Sequence, residues 1–293
     1  MSPFDGLRVT PLYAAAPPCD ADHVQTLGDE VREFLEKNDF LLNKNLGQHF
    51  LTDERILGKI VEIAKISPND AIVEIGAGLG ILTRELVKNA EHVTAIELDK
   101  RWAALLPEFI GDKTLLEKLT LIRGDALKTP MPDVPYAIVA NIPYQISAPL
   151  LRHVFLDGRA PRSLTLLVQR EFADKICDPF GGRIAILVGL FGAAKIALSV
   201  SPAAFIPQPK VDSAVLRIEC FPKPLADPAT LEKVFALTEK AFQGKRKMLR
   251  GTIGKIAGVA DAFSAATIDP ERRPQTLTIQ EWIELAGKWN VDG

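Results

Sequence analysis

Five short runs rich in Val, Ile and Leu, at 71–75, 93–96, 119–122, 137–139 and 164–168, alternate with segments of helical periodicity at 80–89, 99–109, 147–156 and 170–177. No other feature constrains the fold so tightly. Short strands that are apolar throughout have both faces covered, and parallel strands need crossover connections that helices supply. The alternation predicts an α/β protein with a doubly wound sheet and helices on both faces. Two later runs, 195–199 and 213–219, read as further strands. The segment between them, 201–212, holds Pro202, Pro207 and Pro209, which are expected to exclude regular structure.

The flanks read differently. Residues 1–21 are rich in Pro and Ala and are expected to form an extended leader. Val24, Leu27, Val31, Phe34 and Leu35 predict a helix from 22 to about 38, and Ile56, Leu57, Ile60 and Ile63 predict another over 53–65. Between them lies a polar loop, 43–51, that ends in Phe50 and Leu51. Phe221-Pro222-Lys223-Pro224 reads as a linker, and 228–293 is mainly helical in period. The expected division is a leader (1–21), an α/β domain (22–220) and a small helical domain (221–293).

Bulk properties bound the rest. A chain of 293 residues with 47% hydrophobic content can bury a substantial core. Cys19, Cys177 and Cys220 are far apart and show no metal-ligand spacing, which points to a reduced, cytoplasmic protein with no metal. No apolar stretch approaches membrane-spanning length, so no membrane partner is expected. The net charge of −2 does not advertise a polyanion partner, so a nucleic-acid binder of this balance must concentrate its cations locally.

Val73-Glu74-Ile75-Gly76-Ala77-Gly78-Leu79-Gly80 closes a strand and opens a helix, the place where a nucleotide meets the main chain of such a fold. A dinucleotide site is the rival reading, and three details separate the two. The glycine spacing is Gly-x-Gly-x-Gly rather than the Gly-x-Gly-x-x-Gly that cradles a pyrophosphate. Glu74 would repel a pyrophosphate but suits a ligand with an amino group. Acids also recur at later strand ends: Glu97, placed to take ribose hydroxyls, and Asp125, placed to accept from an adenine amino group. Singly, each acid reads as a solvated or capping residue; in order, they point to S-adenosyl-L-methionine.

Asn141-Ile142-Pro143-Tyr144 ends the fourth strand. Alone it is ordinary turn chemistry. At the mouth of a methyl-donor site it suits a delocalised amine. Two oxygens, the Asn141 side chain and the Ile142 carbonyl, accept its N–H bonds and aim the lone pair at the methyl. Pro143 has no N–H to compete, and Tyr144 offers a face for a base, a contact worth about 1–3 kcal/mol. Reaching such a pocket requires a base that leaves its stack, which single-stranded or loop RNA does at lower cost.

The ordered motifs resemble the small-subunit ribosomal RNA adenine dimethyltransferase family from about Asn43 to Gly287. They are Leu-Gly-Gln-His-Phe-Leu (46–51), the glycine segment (73–80), Ile-Glu-Leu-Asp (96–99), Gly-Asp-Ala (124–126), Asn-Ile-Pro-Tyr (141–144) and Gln-Arg-Glu (169–171). Phe-Ile-Pro-Gln-Pro-Lys-Val-Asp-Ser-Ala-Val (205–215) and Ala-Phe-Gln-Gly-Lys-Arg-Lys (241–247) follow. The resemblance implies a Rossmann-like class I methyltransferase sheet with a small C-terminal helical domain. The implied activity is dimethylation of two adjacent adenines near the 3′ end of small-subunit rRNA, within a 30S or pre-30S particle, by a monomeric enzyme. It implies cofactor contacts from His49, Leu51, Gly76, Gly78, Glu97, Asp125, Ala126 and Asn141, and a second aromatic wall for the target adenine from Phe205. His49 stands where many relatives have Asn, and Ile142 where Leu is frequent. Two alternatives remain: a large-subunit adenine methyltransferase of the macrolide-resistance type, and an assembly checkpoint in which catalysis is secondary.

Lys245, Arg246 and Lys247, with Arg250 one turn on, form the densest run of positive charge. Such runs are commonly a solvated helix face. With an RNA substrate they become candidates for phosphate contact, to which Arg170, Lys210 and Arg272-Arg273 add. Trp102, Trp282 and Trp289 read as core.

Overall fold

The computed structural model describes residues 25–40, 49–244 and 246–290. The expected leader (1–21), the start of the expected first helix (22–24), residues 43–48 of the polar loop, and Lys245 lie outside the described residues. The first elements are α1 (Leu27–Lys37), β1 (Phe50–Leu51) and α2 (Glu54–Ala64). The alternating middle follows: β2 (Ala71–Ile75), α3 (Ile81–Asn89), β3 (His92–Glu97), α4 (Lys100–Ile110), α5 (Lys113–Leu116), β4 (Leu119–Arg123) and β5 (Tyr136–Asn141). It continues through α6 (Ser147–Leu156), β6 (Ser163–Gln169), α7 (Arg170–Cys177), α8 (Arg183–Phe191), β7 (Gly192–Val200), β8 (Phe205–Ile206) and β9 (Ser213–Cys220). Three helices finish the described chain: α9 (Pro228–Phe242), α10 (Val259–Ala265) and α11 (Ile279–Lys288).

One seven-stranded sheet runs in the order β4-β3-β2-β5-β6-β9-β7. The five strands from β4 to β6 are parallel, and β9 is antiparallel to both β6 and β7. Strand order reverses between β2 and β5, so the crevice beyond their C-terminal ends is where this architecture receives ligands. Side chains sort by the two-residue period of a strand. Val73, Ile75, Ile138, Ala140, Leu164 and Leu166 face one apolar cluster, and Ile72, Ala137, Val139 and Leu167 face the other. The second cluster is completed by α1, α2 and α3. The first is completed by α6, α8 and the C-terminal helices, with Leu237, Trp282 and Leu285 in the same continuous core as Leu187 and Phe191.

Two expectations are corrected. Segment 201–212 is not devoid of regular structure: a 3-10 turn spans Pro202–Ala204, and β8 pairs antiparallel with β1. The pairing fits between the prolines because Phe205 and Ile206 keep the backbone groups a ladder needs. Helix α8 was not anticipated, because Ala185, Ile186, Leu187, Val188, Leu190 and Phe191 are buried around its whole circumference and leave no amphipathic period. The expected linker at 221–224 is tied to this helix: Phe221 N–H donates to Phe191 O at 2.8 Å, and Leu225 N–H to Leu190 O at 2.9 Å.

Candidate active site

A cavity of about 460 Å³ opens at the C-terminal ends of β2, β3, β4 and β5 and is closed on one side by β1. His49, Leu51, Gly76, Gly78, Glu97, Asp125, Ala126, Asn141, Ile142, Pro143 and Tyr144 all line it. The expected residues therefore converge although they come from five separate stretches of chain.

Its floor is the glycine turn. Gly76 and Gly78 sit at φ +74° and +56°, where a side chain is strained. A Cβ on Gly76 would lie 3.1 Å from Pro143 Cδ, and one on Gly78 would lie 3.2 Å from Phe50 Cε1. The main chain is bare here because the cavity needs that space. Glu97 ends β3, with Oε2 accepting Gly78 N–H at 2.7 Å and Oε1 accepting Asp99 N–H at 2.8 Å. Burial raises its pKa, while the two backbone donors favour the charged form. Asp125 follows β4 and accepts Leu127 N–H on Oδ1 at 3.0 Å.

Glu74 is the most deeply buried acid at the site. It is 1% exposed and lines the cavity, and its Oε2 meets no hydrogen-bond partner among the described residues. Burial, reinforced by the negative charge of Glu97, pushes its carboxyl up to about 8. A buried carboxyl with one oxygen left without a partner at a ligand cavity is chemically matched to a cationic amino group. The volume, the bare glycine floor, the acids at successive strand ends and this orphaned oxygen together fit S-adenosylmethionine.

Asn141, the last residue of β5, has its amide fixed by one bond: Nδ2 donates to the His49 carbonyl at 3.2 Å. A carbonyl can only accept, so the NH₂ faces His49 and Oδ1 is turned the other way. Tyr144 opens a 3-10 turn, is half-buried, and shares a 2.8 Å hydrogen bond between its hydroxyl and Ser213 Oγ. Burial raises its pKa, so the hydroxyl stays neutral. His49 Nδ1–H donates to the Pro207 carbonyl at 2.7 Å.

Phe205 is not at the cavity. It pairs with Leu51 across the β1–β8 ladder, is 1% exposed, and packs in the apolar cluster with Leu51 and Val215. Its expected place as an aromatic wall is therefore corrected, because the ring is held inward by that packing. Trp102 belongs to the core, as expected, and its ring also reaches the cavity wall beside Phe50, 5.0 Å between centroids. Of the cationic candidates, Arg246, Lys247 and Arg250 are exposed, and Arg250 pairs with Glu271 at 3.2 Å. Arg272 is engaged by Glu281 and Thr276 and is thereby removed from the candidate RNA surface.

The family model for ribosomal RNA adenine dimethylase matches residues 39–289. The chain belongs to the ribosomal RNA adenine dimethylase family. Among curated members of that family, it is 37% identical over 268 residues to a protein of Clostridium acetobutylicum named ribosomal RNA small subunit methyltransferase A, covering 87% of this chain and 96% of that one. A protein of the same name from Corynebacterium efficiens is 36% identical, covering 90% and 96%. The family fold is matched by a crystal structure of a dimethyladenosine transferase from Plasmodium falciparum, with TM-score 0.67, 26% identity and coverage of 80% and 95%. The 23S rRNA methyltransferase ErmE matches with TM-score 0.66, 27% identity and coverage of 82% and 99%. These two scores are nearly equal, so the backbone fold does not separate a dimethyladenosine transferase from a 23S rRNA methyltransferase; the small-subunit name is carried by the sequence relatives.

Proposed function

We propose that this chain transfers methyl groups from S-adenosyl-L-methionine to the exocyclic amino groups of two adjacent adenines near the 3′ end of small-subunit ribosomal RNA. The observation that carries the reading is Asn141, held at the cavity with Oδ1 free by a bond from Nδ2 to the His49 carbonyl. Oδ1 and the Ile142 carbonyl accept the two N–H bonds of the adenine amine, hold it pyramidal and direct its lone pair. Tyr144 stacks on one face of the base, with Pro143 shaping the turn between them. When bound, the cofactor supplies an electrophilic sulfonium methyl. His49, Leu51, Gly76 and Gly78 hold its amino-acid part, Glu97 its ribose, and Asp125 with Ala126 its adenine. A methylated amine loses its proton readily to water, so no strong general base is needed.

RNA is gripped by Lys245, Arg246, Lys247 and Arg250 through its phosphates. The substrate is the RNA inside a 30S or pre-30S particle, and the enzyme works as a cytoplasmic monomer. No helix of the described residues is long and apolar enough to cross a membrane. The boundary near residue 221 separates the methyl-donor half from the RNA-holding half. Labelled methyl transfer to isolated 30S particles, 50S particles and naked RNA, followed by mapping of the modified nucleotide, tests this reading. Label on 23S RNA, or none on the 30S particle, would refute it.

A further inference from the structure

Among the described residues a single aromatic side chain is exposed: Phe180, at 50%. It stands outside the cavity, in the turn between α7 and α8. A phenyl ring left in water is unfavourable, so a lone one is either incidental or kept for a partner. The turn that carries it is built rather than loose. Pro179 fixes one dihedral, Asp178 Oδ1 accepts the Phe180 N–H at 2.9 Å, and the Asp178 carbonyl accepts the Gly181 N–H at 2.9 Å. A Cβ on Gly181 would collide with the Lys175 carbonyl, so the chain is pressed against the last turn of α7. Gly182 then lies against the last residue of α9: a Cβ on it would be 3.6 Å from Phe242 Cε1.

Phe242 precedes Arg246 by four residues, a stretch of chain that spans at most about 14 Å. The ring therefore stands at the same end of the molecule as the cationic run at 246–250. Arg183, which opens α8, is exposed and pairs with no carboxylate among the described residues, and the same holds for Arg246 and Lys247. The acids on α7 are already engaged, Glu171 by Lys175 at 2.7 Å and Asp174 by Arg170 at 2.9 Å. We infer that Phe180 is a stacking platform for an unpaired base of the RNA whose phosphates the cationic run holds, an inference that rests on the RNA-methylating reading above. Cations alone attract any polyanion, duplex included. An exposed ring adds selection. A base inside a duplex has both faces covered by its neighbours, whereas an unpaired base can lie on the phenyl face while its phosphate meets a cation. The unpaired cations around the ring favour this partner over an apolar protein segment.

Three substitutions in the full chain test the platform. Phe180→Ala removes the ring, Phe180→Leu keeps an apolar surface without a π-face, and Phe180→Trp keeps a π-face. Each is measured for Tm and for affinity to unmodified 30S particles and to single-stranded and duplex RNA oligonucleotides of equal length, over a range of salt. Ala and Leu should each lose about tenfold in affinity for the particle and the single strand, and Trp should hold the wild-type value. Duplex affinity should move less than about twofold. The salt slope should match wild type in all three, because no phosphate contact is removed. The added indole of Phe180→Trp should lose emission when the single strand binds, read as the difference from the wild-type chain. Wild-type affinity in Phe180→Ala overturns the inference. Full rescue by Leu overturns it too, since the side chain then meets an apolar protein surface rather than a base. So do equal losses on duplex and single strand, or losses in Ala and Trp alike that follow a fall in Tm. A wild-type chain that leaves the 30S particle unmodified overturns the proposed function itself, whereas normal modification with unchanged affinity in Phe180→Ala removes only the platform.

Discussion

The cavity and the basic segment at 246–250 are built on opposite principles. The polar residues that line the cavity are half-buried or buried, several are bonded to one another across long stretches of chain, and they stand at the ends of hydrogen-bonded strands. The basic side chains are exposed, and the described one with an ion pair, Arg250, meets Glu271 with both side chains more than half exposed. An exposed pair of this kind contributes little to stability. The difference teaches where precision is needed. Methyl transfer depends on fractions of an ångström and is served by preorganised groups. Phosphate attraction falls off gently with distance and tolerates mobile side chains.

Asn141→Ala should break the comparison most sharply. We expect kcat to fall by at least about a hundredfold, the scale of losing a preorganised polar contact to the reacting group, while particle binding is unchanged. Co-sedimentation with 30S particles beside a methyl-transfer assay checks both halves; lost binding would show that the cavity and the basic surface do not divide the work. Glu97→Ala comes next, with cofactor affinity reduced about tenfold to a hundredfold, the range for hydrogen bonds to a charged group, measured by calorimetry. A smaller effect is expected from Lys245→Ala, Arg246→Ala and Lys247→Ala together. RNA affinity should drop roughly tenfold, and the salt slope should flatten by about 2 to 3, while kcat at saturating particle stays near wild type. An unaltered slope would mean that the run is only a solvated surface.

The smallest effect concerns Glu74. Its carboxyl, ordinarily near 4.5, is raised to about 8 in the folded chain. Between those values the folded state keeps a proton that the unfolded state has released, so this residue makes stability fall as pH rises across the window. Glu74→Gln should flatten that part of the stability curve, read by thermal melts without cofactor. The same shift predicts proton release on cofactor binding near pH 7, seen as a buffer-dependent calorimetric heat; a buffer-independent heat would contradict it. In the opposite sense, Glu281 is held down to about 2 by the Arg272 guanidinium, so its contribution persists above 4.5 and is lost only as pH falls toward 2.

Much of this was legible along the chain. Strand β2 matches the apolar run at 71–75, and each other sheet strand extends its run by one to four residues in total. Gly76, Gly78, Glu97, Asp125 and Asn141 could be read because each ends a strand, and strand ends in this fold share one crevice. Helix α8 was hidden by its own burial, since an all-apolar surface carries no phase. Ribbon β1–β8 was hidden by distance, as its two strands are two residues each and more than 150 positions apart. The inward packing of Phe205 was hidden for the same reason: the fate of that ring depends on the ribbon and not on its neighbours in sequence.

What the sequence determined by itself is the local chemistry: alternating strands and helices, a glycine turn, acids and an Asn-Ile-Pro-Tyr segment at their ends. Periodicity and turn residues are short-range properties, so they survive without knowledge of the whole. Tertiary structure alone decided that Phe205 packs away from the cavity, that Arg272 is engaged by Glu281, that Asn141 turns its NH₂ toward the His49 carbonyl, and that the C-terminal helices share a core with the sheet. Each of those rests on contacts between residues far apart in the chain, such as the 158 positions between His49 and Pro207. Contacts of that kind exist only after the chain has closed on itself.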